Sequence, residues 1–185
     1  MFLINLIKWN LSKSKLANIK FLALDVDGVL TDGGLLLDNN GNLLKCFNVK
    51  DGLGIKILQN IGVEIILISG GLGGALESRA KQLGIKEYHF GVKNKLKLLI
   101  ELKRKFNFSN SEIIYIGDDI NDLPLKNHVS LLVGTKDASK FYKKYCDLIT
   151  NQNGGHGAVR ELAEKIIFAK NREEILSSKG WFDNN

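Results

Sequence analysis

Four short apolar runs govern what this chain can fold into: IKFLALDV (19–26), VEIILIS (63–69), IIYIG (113–117) and SLLVG (130–134). Each is rich in leucine or β-branched residues and is closed by Gly, Ser or Asp, so each reads as a strand. Runs that are apolar on both faces belong in the middle of a parallel sheet covered on both sides. Helical patterns lie between them. Asp51 is placed to cap a helix running to Gly62, Ser109 and Glu112 have the spacing of a capping box, and Val159, Leu162, Ala163, Ile166 and Ile167 form one apolar stripe. Strand alternating with helix predicts an α/β fold with a doubly wound, mostly parallel sheet.

A chain of 185 residues with 44% hydrophobic and 25% charged residues suits a single globular domain. That domain is expected over 19–170, after a helical extension (1–18) and before a polar tail (171–185). MFLINLIKWNL, at the start, has no basic stretch before it and no small-residue cleavage site after it, and it is too short to span a bilayer. An amphipathic helix is the expectation there, with no membrane partner. Lys and Arg number 26 against 20 Asp and Glu, a formal charge of +6. The lysines are scattered through stretches such as KNKLKLLIELKRKF, and no recognition module accompanies them, which argues against nucleic acid. Cys46 and Cys146 have neither CxxC spacing nor clustered histidines, so a reduced cytoplasmic protein without structural zinc is expected.

One stretch breaks the alternation. GGLLLDNNGNLLKCFNV (33–49) carries apolar runs on either side of DNNGN, the composition of a β-hairpin turn. It follows directly on the end of the first strand, so the hairpin is predicted to stand over the strand ends as a flap. Sheets of this class bind ligands at those ends.

At that place LALDVDGVLTDG (22–33) puts Asp25 and Asp27 one residue apart, where two like charges repel. They are tolerable together if a cation neutralises one and the other carries a proton. Asp25 on a hard, oxygen-seeking metal can then attack phosphorus, while Asp27 protonates the leaving oxygen and later activates water. Gly28 permits the tight turn. The later strand ends offer matching chemistry. Ser69, with the backbone of Gly70, can hold phosphate oxygens near a helix N-terminus. One of Asp118, Asp119 and Asp122 can complete an octahedral magnesium site. Lys95 suits charge developing on a transferred phosphoryl group. The SGGLGGA stretch does not make a dinucleotide fingerprint, because Leu76 stands where the final glycine of GxGxxG is needed.

Taken together, DVDGVLTDG, Ser69, GVKNK and GDDIND resemble the haloacid dehalogenase superfamily of phosphohydrolases over about residues 19–168. With FNVKDGLGIK and GGHGAVRE added, the set is similar to the capless, tetrameric branch acting on phosphorylated keto sugar acids in lipopolysaccharide sugar synthesis. The resemblance implies a Rossmann-like sheet, no cap domain, and active sites shared between neighbouring subunits. It implies Asp25 as nucleophile and Asp27 as general acid and base. It implies Mg2+ on the Asp25 carboxylate, the Asp27 backbone carbonyl and Asp118. Ser69 and Lys95 would hold the phosphoryl oxygens, Asp122 would orient Lys95, and Thr31, Asp51 and Gly52 would line the site. The family often has Arg where this chain has Gly71 and His156. The tail of the family implies that His156 or neighbouring amides, and less so Arg160, touch the sugar across a subunit interface.

The expected reaction is Mg2+-dependent hydrolysis of an eight-carbon keto sugar acid 8-phosphate through an aspartyl phosphate. The alternatives are a phosphatase for a nine-carbon keto sugar acid 9-phosphate and a non-catalytic oligomerising domain. The intact pair of Asp25 and Asp27 speaks against the latter.

Overall fold

β1 (Phe21–Leu24) is the centre of a six-stranded, wholly parallel sheet in the order β5-β4-β1-β6-β7-β8. The structure is a computed structural model and describes residues 2–176. The other strands are β4 (Glu64–Ile68), β5 (Glu87–His89), β6 (Ile113–Gly117), β7 (Leu131–Gly134) and β8 (Leu148–Ile149). The helices are α1 (Phe2–Leu11), α2 (Lys13–Asn18), α3 (Val49–Asn60), α4 (Gly74–Gln82), α5 (Lys95–Phe106), α6 (Lys140–Lys143) and α7 (Ala158–Ala169). Short 3-10 stretches cover Asn110–Glu112, Ile120–His128 and Glu173–Leu176. Residues 177–185 of the expected tail lie outside the described residues.

The apolar runs divide their side chains between two cores with the period of a strand. Leu22 and Leu24 of β1, Ile65 and Leu67 of β4, and Ile114 and Ile116 of β6 pack with residues of α2, α3, α4 and α7. Ala23, Ile66, Ile68, Ile113 and Tyr115 point the other way, towards α5, the 120–128 stretch and α6. These side chains are essentially fully buried, each leucine or isoleucine worth about 1.5–3 kcal/mol of burial. The α7 stripe of Val159, Leu162, Ala163, Ile166 and Ile167 is buried as its spacing requires.

The structure adds two edge strands to the four read from the sequence. β5 has three residues and β8 two, too short to carry a periodic signal. α1 closes the β8 edge, with Asn5 Nδ2 and Trp9 Nε1 donating to Ile149 O at 2.8 and 3.3 Å. Two expected caps act differently. Asn48, not Asp51, caps α3 by accepting from the Lys50 amide at 2.8 Å. Ser109 and Glu112 do form a capping box, but it heads one 3-10 turn, because Ile113 already begins β6.

The flap is a two-stranded antiparallel ribbon, β2 (Leu36–Leu37) with β3 (Leu43–Leu44), separate from the main sheet. Asp38 organises its turn by accepting from the Asn40 and Asn42 amides, each at 2.8 Å. Between Gly28 and the start of β4 the chain forms only this ribbon and α3, so no cap domain intervenes. The chain runs from β1 outward to β5, then returns across the sheet to β6. The carboxyl ends of β1 and β6 therefore flank the point where the strand order reverses, the place where such sheets bind ligands.

Candidate active site

Asp25 continues β1 directly: its amide donates to Ile116 O of β6 at 3.0 Å, and its buried Oδ1 accepts from the Val26 amide at 2.7 Å. Lys95 is the first residue of α5, whose start is capped by Asn94 accepting from the Lys97 amide at 2.9 Å. Its Nζ donates to Asp25 Oδ2 at 2.6 Å, Asp122 Oδ1 at 2.7 Å and the Tyr115 hydroxyl oxygen at 3.1 Å. The Tyr115 hydroxyl donates in turn to Asp122 Oδ1 at 2.7 Å, and the Asp118 amide donates to Asp122 Oδ2 at 3.3 Å. Both oxygens of the fully buried Asp122 are thus engaged within the site, which makes it a fixed anchor for Lys95.

Asp25, Asp118 and Asp122 each bring an oxygen within 4.8 Å of the others. Burial, followed by the charge of Asp122, pushes Asp25 up to about 6. Burial, followed by the charges of Asp25 and Asp122, pushes Asp118 up to about 7. Burial alone would lower Lys95, but Asp122 and Asp25 outweigh it and hold the ammonium above its ordinary value. An all-oxygen set of crowded, partly desolvated carboxylates fits a hard divalent cation of the Mg2+ type. Asp25, Asp118 and Asp122 are its candidate ligands, and of the three Asp122 is fully buried with both oxygens on Lys95, Tyr115 and the Asp118 amide. Gly28 has φ +75°, and a Cβ there would stand 2.1 Å from Asp118 Oδ2. The turn after Asp27 and the approach of Asp118 both depend on that glycine.

Asp27 lies at the edge of this group, half-buried. Its Oδ1 accepts from the ammonium of Lys45 on the flap, and the buried Thr31 hydroxyl is 3.5 Å from the same oxygen. Gly71 faces Asp27 from the β4 side, where a Cβ would be 2.8 Å from Asp27 Oδ2. Ser69 is fully buried just beyond β4, its Oγ accepting from the Gly71 amide at 3.0 Å, and Gly70 is exposed beside it. α4 begins at Gly74, so the Ser69 turn is a loop that leads into the helix N-terminus. Asp119 caps the 120–128 stretch by accepting from the Ile120 amide at 2.7 Å and is exposed.

The sequence pattern of the haloacid dehalogenase-like hydrolases matches residues 90–162, which contain Lys95, Asp118 and Asp122. Over 159 residues the chain is 38% identical to the 3-deoxy-D-manno-octulosonate 8-phosphate phosphatase of Salmonella typhi, covering 86% of this chain and 85% of that one. The chain belongs to the haloacid dehalogenase-like hydrolases. Its fold overlays the 3-deoxy-D-manno-octulosonate 8-phosphate phosphatase of Yersinia pestis with a TM-score of 0.85 at 37% identity, over 88% of each chain. The Moraxella catarrhalis enzyme of the same name, solved with magnesium, phosphate and the sugar acid, gives 0.86 at 35% identity over 89% of this chain and 95% of that one. This hydrolase is a phosphatase.

Other candidates are engaged elsewhere in the hydrolase. The Asp51 carboxylate accepts from the Gly157 and Arg160 amides, both at 3.0 Å, and so caps α7 from inside α3. Gly52 makes room for Arg79, whose Nη2 would lie 2.4 Å from a Cβ there. All four amides of 154–157 have partners within the chain: Asp137 Oδ1, Val29 O, Asn153 O and Asp51 Oδ2. Within the chain these amides are engaged in holding the segment itself. The glycines explain it, since a Cβ on Gly154 would be 1.9 Å from Gly28 O and one on Gly155 2.5 Å from the Thr31 carbonyl carbon. His156 Nδ1 lies 2.8 Å from Gly154 O, and Arg160 pairs with Glu164.

Two residues of the hydrolase's site escaped the sequence reading. Tyr115 had a signal, a phenol in an otherwise aliphatic central strand, which needs a buried partner. Lys45 had none, because its partner is Asp27, 18 residues earlier, reached only when the flap folds over.

Proposed function

We propose that this phosphatase hydrolyses 3-deoxy-D-manno-octulosonate 8-phosphate to the free sugar acid and phosphate. The observation that carries the reading is the Lys95 ammonium held between Asp25 and Asp122, with Asp118 beside them and Asp27 two residues beyond Asp25. Relatives with the same fold bear that substrate's name over most of the chain.

Asp25, at the end of the rigid β1, attacks phosphorus, and the bond from phosphorus to the ester oxygen breaks. Asp27 gives its proton to the leaving oxygen. Water then attacks the aspartyl phosphate, passing a proton to Asp27 as the bond between phosphorus and Asp25 breaks. Lys95 and the Ser69 turn hold the phosphoryl oxygens, and Asp122 with Tyr115 fixes where Lys95 points. Mg2+, held by Asp25, Asp118 and the Asp27 carbonyl, supplies positive charge against the dianionic phosphate when bound.

The free-standing flap supports a homotetramer with shared sites. Leu35, Leu36, Leu37 and Leu44 are all exposed, so much of the ribbon's apolar surface is uncovered. A second copy covering them would also shield an open site from water. No helix among the described residues is long and apolar enough to cross a membrane, and Cys46 and Cys146 are both free thiols. We place the enzyme in the cytoplasm on that basis and on the kinship.

Phosphate release from 3-deoxy-D-manno-octulosonate 8-phosphate, with Mg2+ and with chelator, tests the reading against nine-carbon keto sugar acid 9-phosphates at equal concentration. The eight-carbon ester should give the highest kcat/KM, only with Mg2+. Asp25→Asn should lower turnover by more than about a thousandfold, as loss of a nucleophile does. A better nine-carbon substrate, or activity in Asp25→Asn, overturns it.

A further inference from the structure

Lys45, on the flap, reaches the carboxylate pair. Leu44 and Cys46 on either side of it are exposed, whereas Phe47 packs on the core, so the descending arm of the flap alternates outward and inward. Lys45 takes an inward position. Its side chain is only 2% exposed, although that of its partner Asp27 is 36% exposed. A buried ammonium is costly unless a negative or oxygen-rich group faces it. In this structure Asp27 Oδ1 is that group.

Lys45 and Asp27 together form the part of the site that the flap reaches. Under the proposed reaction the substrate must bring its ester oxygen to Asp27, which sets the leaving group, not the phosphate, against the flap. Gly71 lies against the other oxygen of the Asp27 carboxylate, where a Cβ would stand 2.8 Å away, while Lys95 is hydrogen-bonded to Asp25 and Asp122 on the phosphoryl side. We infer that Lys45 is a specificity-determining residue that binds the leaving group, its buried ammonium passing from Asp27 to an oxygen of the sugar acid when the ester oxygen is brought to Asp27. The inference rests on the reading of Asp27 as general acid. The flap then selects phosphate esters of acidic, oxygen-rich alcohols over esters with apolar leaving groups.

Lys45→Met removes the charge and keeps an unbranched side chain in the same channel, and Lys45→Arg restores a cation. The first readout is the ratio of kcat/KM for 3-deoxy-D-manno-octulosonate 8-phosphate to that for p-nitrophenyl phosphate, whose leaving group has no carboxylate or sugar hydroxyl. In Lys45→Met this ratio should fall about tenfold or more, the cost of losing a hydrogen bond from a charged group, and Lys45→Arg should recover part of it. The second readout is inhibition of p-nitrophenyl phosphate hydrolysis by free 3-deoxy-D-manno-octulosonate and by inorganic phosphate. The inhibition constant for the sugar acid should rise relative to that for phosphate by a similar factor. An unchanged ratio in both readouts overturns the inference and leaves Lys45 as a strut of the flap. Failure of the substrate reading shows instead in the unmodified enzyme, as turnover of p-nitrophenyl phosphate without turnover of the sugar ester.

Discussion

The Asp51 carboxylate accepts a hydrogen bond from the Gly157 amide at 3.0 Å, joining two residues 106 positions apart. Its other oxygen accepts from the Arg160 amide, so one buried side chain of α3 satisfies two free donors at the start of α7. The segment just before, Gly154–Gly155, lies against Gly28 and Thr31, behind Asp27, and Asn48 Nδ2 at the foot of the flap donates to Gly155 O at 3.1 Å. Asp51 therefore ties the flap's exit, the α7 entry and the loop carrying the acid into one unit. Asp51→Ala should destabilise the fold by about 1–2 kcal/mol, as loss of a helix cap does, with Asp51→Asn costing less because one acceptor remains. Chemical denaturation of the two variants checks this, and equal stability of Asp51→Ala and the unmodified protein would refute the cap.

Metal binding should couple to pH through Asp25 and Asp118. Both are raised in the folded state, Asp25 to about 6 and Asp118 to about 7, from an ordinary value of 3.8. Below that value both are protonated whether folded or not, and they contribute no pH dependence. As pH rises through the window up to about 7, the unfolded chain ionises first, the folded chain holds more protons, and these two groups make stability fall. A divalent cation favours the ionised carboxylates and removes the loss. The rise in Tm produced by Mg2+ should thus be larger at about pH 8 than at about pH 5, and smaller in Asp118→Asn at the higher pH. Equal Mg2+ shifts at the two pH values would count against these carboxylates as ligands.

Lys95 and Tyr115 should separate in effect although both touch Asp122. Lys95→Ala removes the cation facing the phosphoryl group, and kcat should drop by about a hundredfold or more. Tyr115→Phe removes only one of the hydrogen bonds that fix Asp122 and should cost about 1 kcal/mol of stability with a smaller loss of kcat. Steady-state kinetics with thermal melts on both variants checks the order, and a Tyr115→Phe enzyme slower than Lys95→Ala would reverse the assignment.

The exposed ribbon should decide the oligomer. Leu36 pairs with Leu44 and Leu37 with Leu43 in a ribbon too short to be stable alone in water. Leu36→Asp with Leu37→Asp should convert the assembly to smaller species in sedimentation velocity and lower the activity towards the sugar ester. A tetramer that survives both substitutions is held by some other surface.

Much of this protein is written locally. The central strands announce themselves because a strand buried on both faces must be apolar along its whole length, and Asp25, Asp27, Asp118 and Lys95 stand at or next to element ends where the chain itself delivers them. Short edges are different: β8 is a strand only because β7 pairs with it and α1 covers it. The partners of Asp51 and Lys45 are likewise settled by the tertiary fold alone. A carboxylate in a first helical turn reads as the cap of its own helix, and a lysine in a hairpin reads as solvated, until packing brings up the end of another helix or an opposite charge. Hydrogen bonds and ion pairs act over about 3 Å of space and carry no trace of the sequence separation they bridge, so the spacing of residues reveals the strands and the carboxylates but not which distant group answers them.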